Sequence, residues 1–81
     1  MFPFMGATSD VKVIDNFKTY GYMYAYSAVG LGQEGYVLCF PFQQVLKPGA
    51  ALHIYISYEQ SYRKMRIYNW SVGQWADWIN L

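Results

Sequence analysis

The feature that most constrains the fold is a run from Tyr20 to Tyr26, in which tyrosine alternates with smaller residues. Successive side chains of a β-strand point to opposite faces, so this run predicts a strand with one tyrosine face. Further strands are predicted at Tyr36 to Phe40, Ala51 to Tyr58 and Lys64 to Trp70, with turn-forming residues between them. We therefore expect a mainly β domain built on a small antiparallel sheet of four to five strands.

The N-terminal part of the chain lacks this alternation. Residues 1–9 contain Pro3 and Gly6 and have no clean period, which predicts a connector, whereas residues 10–81 are expected to form a single domain. The segment from Asp10 to Tyr20 allows a short helix with Ser9 or Asp10 as its cap, or an extended stretch that leads into a turn.

The alternation also predicts which side chains face the core. In the third strand, the aliphatic side chains share one face and His53 lies on the opposite, outward face. In the fourth strand, Met65 and Ile67 are expected to point inward, and Arg66 and Tyr68 outward. His53, the only histidine, is therefore expected at the surface or in a subunit contact.

The composition excludes several classes of protein. The chain has 81 residues and is 54% hydrophobic but only 14% charged, which excludes intrinsic disorder. Its single cysteine, Cys39, permits no internal disulfide and no cysteine-based zinc site. No stretch approaches the roughly 20 apolar residues that span a bilayer, so we expect no membrane insertion. The net charge of +1 offers no broad field for nucleic acid, and Arg63, Lys64 and Arg66 are better explained as a solvated strand face.

Aromatic residues make up 21% of the chain, more than so small a core can hold. Some of them must lie at the surface or in a contact between subunits. The tyrosine face of residues 20–26 has three alternatives: it packs within the subunit, it forms a seam between subunits, or it stands open as a binding surface. Burial in the subunit or the seam is the favoured alternative.

Catalytic chemistry has little support among the residues. Cys39 lies in an apolar run, where a small buried hydrophobic residue is the usual role. The five acidic residues are dispersed, so no pair can be assigned acid and base roles from spacing. No glycine-rich loop opens a helix with a following lysine. We expect a protein that is not an enzyme and that holds no cofactor and no metal.

The tryptophans have two interpretations. The first is that Trp75 or Trp78 fills the core and holds the C-terminal segment in place. The second is that a tryptophan forms an apolar platform for a sugar ring, while nearby polar side chains bind its hydroxyls. Trp70, beside the turn at residues 71–73, is the better candidate for the second role.

The segment from Lys64 to Leu81 resembles the ending of many bacteriophage tail-fibre proteins. The shared elements are Arg66, Tyr68, Asn69, Trp75, Asp77, Trp78 and Leu81. Asp10 to Met23 resembles the opening of the same module, often called the pyocin-knob or tail-fibre tip domain, and Gly35 to Leu38 resembles its central strand. His53 stands where that module more often has Gln. The resemblance covers residues 10–81.

This resemblance implies a trimeric knob at the distal end of a tail fibre, a virion component that acts outside the cell. Its implied partners are two further copies of the chain, an upstream fibre shaft, and a host-surface glycan or other envelope structure. Two alternatives to this receptor-binding role remain open. In the first, the domain is a structural trimerisation and folding cap. In the second, it is a free-standing small phage protein that binds and blocks a host macromolecule.

Loops concentrate binding residues, so the candidate contact surface is drawn from loops and their borders. The candidate ligand-binding residues are Gln33, Glu34, Tyr62, Arg63 and Trp70.

Overall fold

The computed structural model describes residues 2–26, 33–43, 48–59, 62–69 and 71–81. These residues form one seven-stranded mixed sheet and one short helix. In chain order, the elements are β1 (Phe4–Thr8), α1 (Val11–Asp15), β2 (Gly21–Ala25), β3 (Gly35–Gln43), β4 (Pro48–Ser57), β5 (Arg63–Asn69), β6 (Gln74–Trp75) and β7 (Ile79–Asn80). The predicted mainly β class is confirmed, although the sheet has more than the four to five strands expected.

The strands follow one another across the sheet in the order β1-β2-β3-β4-β5-β6, and β7 also pairs with β5. The strands from β2 to β6 pair antiparallel with their neighbours, as the alternating runs predict. The central pair sets Tyr36 opposite Ile56 and Leu38 opposite Ile54. Paired residues lie on the same face of a sheet, so this register decides which side chains meet.

The predicted connector contains strand β1, which pairs parallel with β2 and makes the sheet mixed. Its register shifts between Phe4 and Ala7, which explains why these residues show no period of two. Gly21 allows the two strands to meet closely. A Cβ atom there would lie 2.7 Å from the carbonyl oxygen of Pro3, and the φ of 151° also favours glycine.

Of the two alternatives for Asp10 to Tyr20, the short helix is present as α1, over Val11–Asp15 only. Asp10 caps it, because its side chain accepts a hydrogen bond from the backbone N–H of Lys12 at 2.9 Å. Ile14 in the helix and Phe17 after it are buried against the sheet. In the described part of the chain, no helix has the length and hydropathy needed to cross a membrane.

The two faces of the sheet are covered to different extents. The closed face is buried beneath α1 and residues 71–81, which we call the C-terminal segment. Its central side chains are Val37, Cys39, His53, Tyr55, Ser57, Arg66 and Tyr68. The open face carries half-buried and exposed side chains, including Tyr22, Tyr24, Tyr36, Leu38, Leu52, Ile54, Ile56, Met65 and Ile67. The predicted orientation of β4 and β5 is therefore wrong: His53, Arg66 and Tyr68 face the core.

Candidate functional site

Two rows of paired residues build the central part of the open face. Tyr24, Tyr36, Ile56 and Arg63 form one row across β2 to β5. The neighbouring row consists of Tyr22, Leu38, Ile54 and Met65. The tyrosines therefore lie at the β2–β3 side of the face, and aliphatic side chains occupy its middle.

A groove of about 380 Å³, which we call the tyrosine groove, lies at this side of the open face. It is lined by Phe4, Ala7, Tyr22, Tyr24, Tyr36 and Tyr58. The rings of Tyr24 and Tyr36 lie 5.1 Å apart at 62°, and those of Tyr22 and Tyr36 lie 6.1 Å apart at 60°. Rings inclined in this way bring both faces and edges to one groove, together with the hydroxyls of the tyrosines.

Glu34 lies at one end of the tyrosine groove. Its carboxylate interacts with the hydroxyl of Tyr24, and this interaction raises the pKa of Tyr24. The backbone carbonyl of Glu34 also accepts a hydrogen bond from the N–H of Tyr58 at 2.9 Å. Tyr58 itself is 71% exposed. The carboxylate thus lies next to aromatic rings that remain accessible.

A second cleft, of about 270 Å³, adjoins the groove and is lined by Gln33, Glu34, Tyr58 and Glu59. It shares Tyr58 with the tyrosine groove, so the two meet at this side chain. The carbonyl oxygen of Gln33 accepts a hydrogen bond from the hydroxyl of Tyr55, which ties the start of β3 to the closed face. Two of the predicted site residues, Gln33 and Glu34, therefore lie beside the groove.

Tyr62 and Arg63 lie in a different cleft, of about 320 Å³, which they share with Lys64, Asn80 and Leu81. The ammonium group of Lys64 lies 5.8 Å from the ring centre of Tyr62. The structure thus divides four of the predicted residues between an acidic cleft and a basic one. The fifth, Trp70, lies outside the described residues.

His53 lies at the centre of the closed face and is fully buried, which corrects its predicted place at the surface. Its Nε2 lies 2.6 Å from the carbonyl oxygen of Phe17, and its Nδ1 accepts a hydrogen bond from Nε of Arg66 at 3.3 Å. Because a carbonyl only accepts, Nε2 carries the proton. Burial, together with the charges of Arg66 and Lys18, lowers the pKa of His53 to about 3. A neutral imidazole with both nitrogens occupied has a structural role here.

Arg66 joins the closed face to α1 and to the C-terminal segment. Its guanidinium lies 4.3 Å from the ring centre of Trp75 and 4.4 Å from that of Trp78. Its Nη2 donates to Asp15 at 3.0 Å. Trp75 also stacks on His53 and donates its Nε1–H to the carbonyl oxygen of Asp15 at 2.8 Å. Both tryptophans pack against the core, as their first interpretation predicts.

Cys39 is buried on the closed face, in agreement with its predicted role as a small core residue. Its thiol lies 3.7 Å from the carbonyl oxygen of Phe17, and burial raises the pKa of the thiol to about 11. The thiol is therefore protonated at neutral pH. Among the described residues, no group of three His, Cys, Asp or Glu side chains could hold a metal ion.

The groove brings together residues that sequence reasoning did not select. Tyr36 and Tyr58 were not candidates, and Phe4 lies in the predicted connector. The alternating tyrosines of β2 were the available signal; an open binding surface was one of their three alternatives, but burial in the subunit or in a seam was the favoured one. The register that sets Tyr36 beside Tyr24 could not be read from the sequence. No protein-family model, curated protein or solved structure matches this chain.

Proposed function

We propose that this chain is the non-catalytic receptor-binding tip of a phage or phage-like tail fibre, and that it recognises a host-surface glycan. Two features support the proposal. The first is the resemblance of residues 10–81 to tail-fibre tip domains. The second, which carries the proposal, is the tyrosine groove: an open, aromatic-lined depression of about 380 Å³ with polar side chains at its end.

The chemistry of the groove suits a sugar. The C–H faces of a pyranose ring pack well on aromatic rings, and tyrosine adds a hydroxyl that remains hydrogen bonded to water or to ligand. Tyr36 is 39% exposed and Tyr58 more so, which leaves ring surface available for contact. Glu34 is exposed and supplies carboxylate oxygens that accept hydrogen bonds from hydroxyls.

An open groove of this size makes individually weak contacts. In a trimeric fibre tip, three grooves would engage one cell surface, and linked binding events raise the overall affinity without new contacts at any one site. The working assembly would thus consist of three copies of the chain, joined to an upstream fibre shaft.

The experiment is binding of the labelled protein to bacterial cells and to isolated envelope glycans, with matched tyrosine variants. Tyr36→Ala removes a wall of the groove and is expected to weaken binding about tenfold. Tyr62→Ala, in the separate cleft with Arg63, is the control and is expected to bind normally. Circular dichroism checks that both variants are folded. The reverse pattern, with binding lost only in Tyr62→Ala, would place the contact surface in the other cleft.

A structural role as a trimerisation cap is the second candidate, and one observation favours it. A shallow groove of about 360 Å³ on the open face is lined by Phe2, Tyr22, Tyr36, Leu38 and Ile56. Light scattering across a concentration series measures the native mass. A stable trimer that binds no cell or glycan would favour this role, whereas glycan binding by the protein favours the receptor-binding role.

A further inference from the structure

The charges around the tyrosine groove are of one sign. The carboxylates of Glu34 and Glu59 line the cleft that continues the groove past Tyr58. Of the lysines and arginines in the described part of the chain, none lines the groove or this cleft. Arg63 lines the cleft that contains Tyr62 and Lys64. It lies on β5, and Ile56 on β4 separates it from Tyr36 on β3. This end of the open face is therefore expected to have a negative potential.

The aromatic walls of the groove also favour a positively charged ligand. The face of a tyrosine ring attracts a cation within about 6 Å of its centre, and inclined rings can do so from two sides. The rings of Tyr24 and Tyr36 are inclined at 62°, and Tyr58 lies beside them with most of its surface exposed. The carboxylate of Glu34, which interacts with the hydroxyl of Tyr24, lines the adjoining cleft next to Tyr58. Aromatic rings next to a carboxylate are a common way to bind an ammonium group.

We propose that the tyrosine groove binds a glycan residue that carries a free, protonated amine. This inference rests on the proposed function, because it names the class of sugar that the groove takes. The sugar ring lies against Tyr22 and Tyr36, and the ammonium group lies between Glu34 and the ring of Tyr58.

The arrangement discriminates between saccharides by charge. An N-acetylated sugar fills the groove but offers no positive charge to Glu34 or to the ring faces. An acidic saccharide brings a second negative charge towards Glu34 and Glu59 and is disfavoured by repulsion. Because these carboxylates are at the surface, the preference weakens as the salt concentration rises.

The test compares two oligosaccharides of equal length by calorimetry at low salt and about pH 6, where carboxylates are ionised and amines protonated. One is a β-1,4-linked glucosamine oligomer with free amines, and the other is its fully N-acetylated counterpart. The expected result is about tenfold tighter binding of the free-amine oligomer. A galacturonic acid oligomer serves as the acidic probe and is expected to bind most weakly.

Two variants test whether Glu34 causes the tighter binding of the free-amine oligomer. Glu34→Gln removes the charge but keeps an acceptor for the hydroxyl of Tyr24, and it is expected to bring the two affinities to within about twofold. Asp77→Asn removes an exposed carboxylate outside the groove and is expected to leave the preference unchanged. Circular dichroism confirms the fold of both variants.

The outcomes separate the two proposals. Equal affinity for both oligomers, stronger binding of the acidic probe, or an unchanged preference in Glu34→Gln would overturn the amine inference. Each of these results leaves a glycan-binding tip in place, provided that Tyr36→Ala weakens binding. If the protein binds neither oligomer, the amine inference fails; if it also binds no cell-surface glycan, the proposed function fails with it.

Discussion

The two faces of the sheet invert the usual relation between polarity and burial. The closed face buries His53 and Arg66, whereas the open face leaves Ile67 41% exposed. The reason is the path of the chain: α1 and the C-terminal segment both pack on the side of His53. When both faces of a small sheet carry apolar and polar side chains, the elements that cover one face decide which side chains are buried. The hydrophobicity of each face is not sufficient to decide this.

The closed face tolerates burial of polar groups because each of them has a partner. The nitrogens of His53 bond with Phe17 and Arg66, and Arg66 also reaches Asp15 and both tryptophans. Buried polar groups with satisfied hydrogen bonds do not carry the desolvation cost of unpaired ones. The open face needs no such network because water or a partner can still reach it.

The largest expected effect is the loss of folding stability when the pH is lowered. The folded-state pKa of His53, about 3, lies below its ordinary value of 6.5, so the unfolded chain binds more protons between these limits. The contribution of His53 to stability is therefore complete above about pH 6.5 and is lost as the pH falls through this window. We expect a loss of about 3 kcal/mol between about pH 7 and pH 4, measured by urea unfolding.

The control for this prediction is His53→Gln. A glutamine amide can donate to the carbonyl of Phe17 and accept from Arg66, but it does not titrate. The variant should therefore show a much flatter loss of stability in acid. Parallel pH profiles for the two proteins would contradict the assigned role of His53, and would leave carboxylates as the source of the acid sensitivity.

Arg66→Met has the next largest effect, because it leaves Nδ1 of His53 buried without a donor and removes the contact with Asp15. Asp15 is 44% exposed, so solvent screens its part of the loss. We expect a loss of about 2–3 kcal/mol in the free energy of unfolding. Arg63→Met, on the open face, is the matched control, with an expected change within about 0.5 kcal/mol. Equal losses would mean that the two faces are equally covered in solution.

A matched pair of threonine substitutions measures the difference between the faces directly. Val37→Thr places a hydroxyl in the closed face, where it is fully buried, and is expected to cost about 1–2 kcal/mol. Ile67→Thr on the open face is expected to cost about 0.5 kcal/mol. Thermal unfolding at several protein concentrations checks both. A large loss for Ile67→Thr that depends on concentration would show that another copy of the chain covers the open face.

The smallest expected effect distinguishes the two tryptophans of the closed face. Trp75→Phe removes the hydrogen bond to the carbonyl of Asp15, whereas Trp78→Phe leaves it in place. Both variants lose ring area above Arg66, but only Trp75→Phe also loses the bond and reduces the close stacking on His53. We expect Trp75→Phe to be the less stable by about 1 kcal/mol in urea unfolding. Indistinguishable stabilities would mean that the bond and the closer stacking on His53 together make no net contribution.

The sequence predicted where the strands lie much better than it predicted which face of the sheet is covered. The alternating run at residues 20–26 and the later runs predicted β2 to β5, and Asp10 was among the predicted caps of α1. The covered face could not be predicted, because β4 carries aliphatic side chains on one side and His53, Tyr55 and Ser57 on the other. Both faces are compatible with a core until the paths of α1 and the C-terminal segment are known.

The candidate site was predictable only in part. Gln33 and Glu34 were chosen as loop residues, and they lie beside the groove. Tyr36 and Tyr58 were missed because they join the site through strand register, which depends on tertiary pairing rather than on local sequence. Strand β1 was missed because its register shift interrupts the alternation.

The cluster around Arg66 also bears on how the protein folds as it is made. It joins Asp15, near one end of the chain, to Trp75 and Trp78, near the other. Contacts between such distant residues form slowly, and those of Trp75 and Trp78 can form only after these two residues have left the ribosome. Until then, the closed face of the nascent sheet lacks the part of its cover that Trp75 and Trp78 provide. A chain cut before residue 74 would remain in that state.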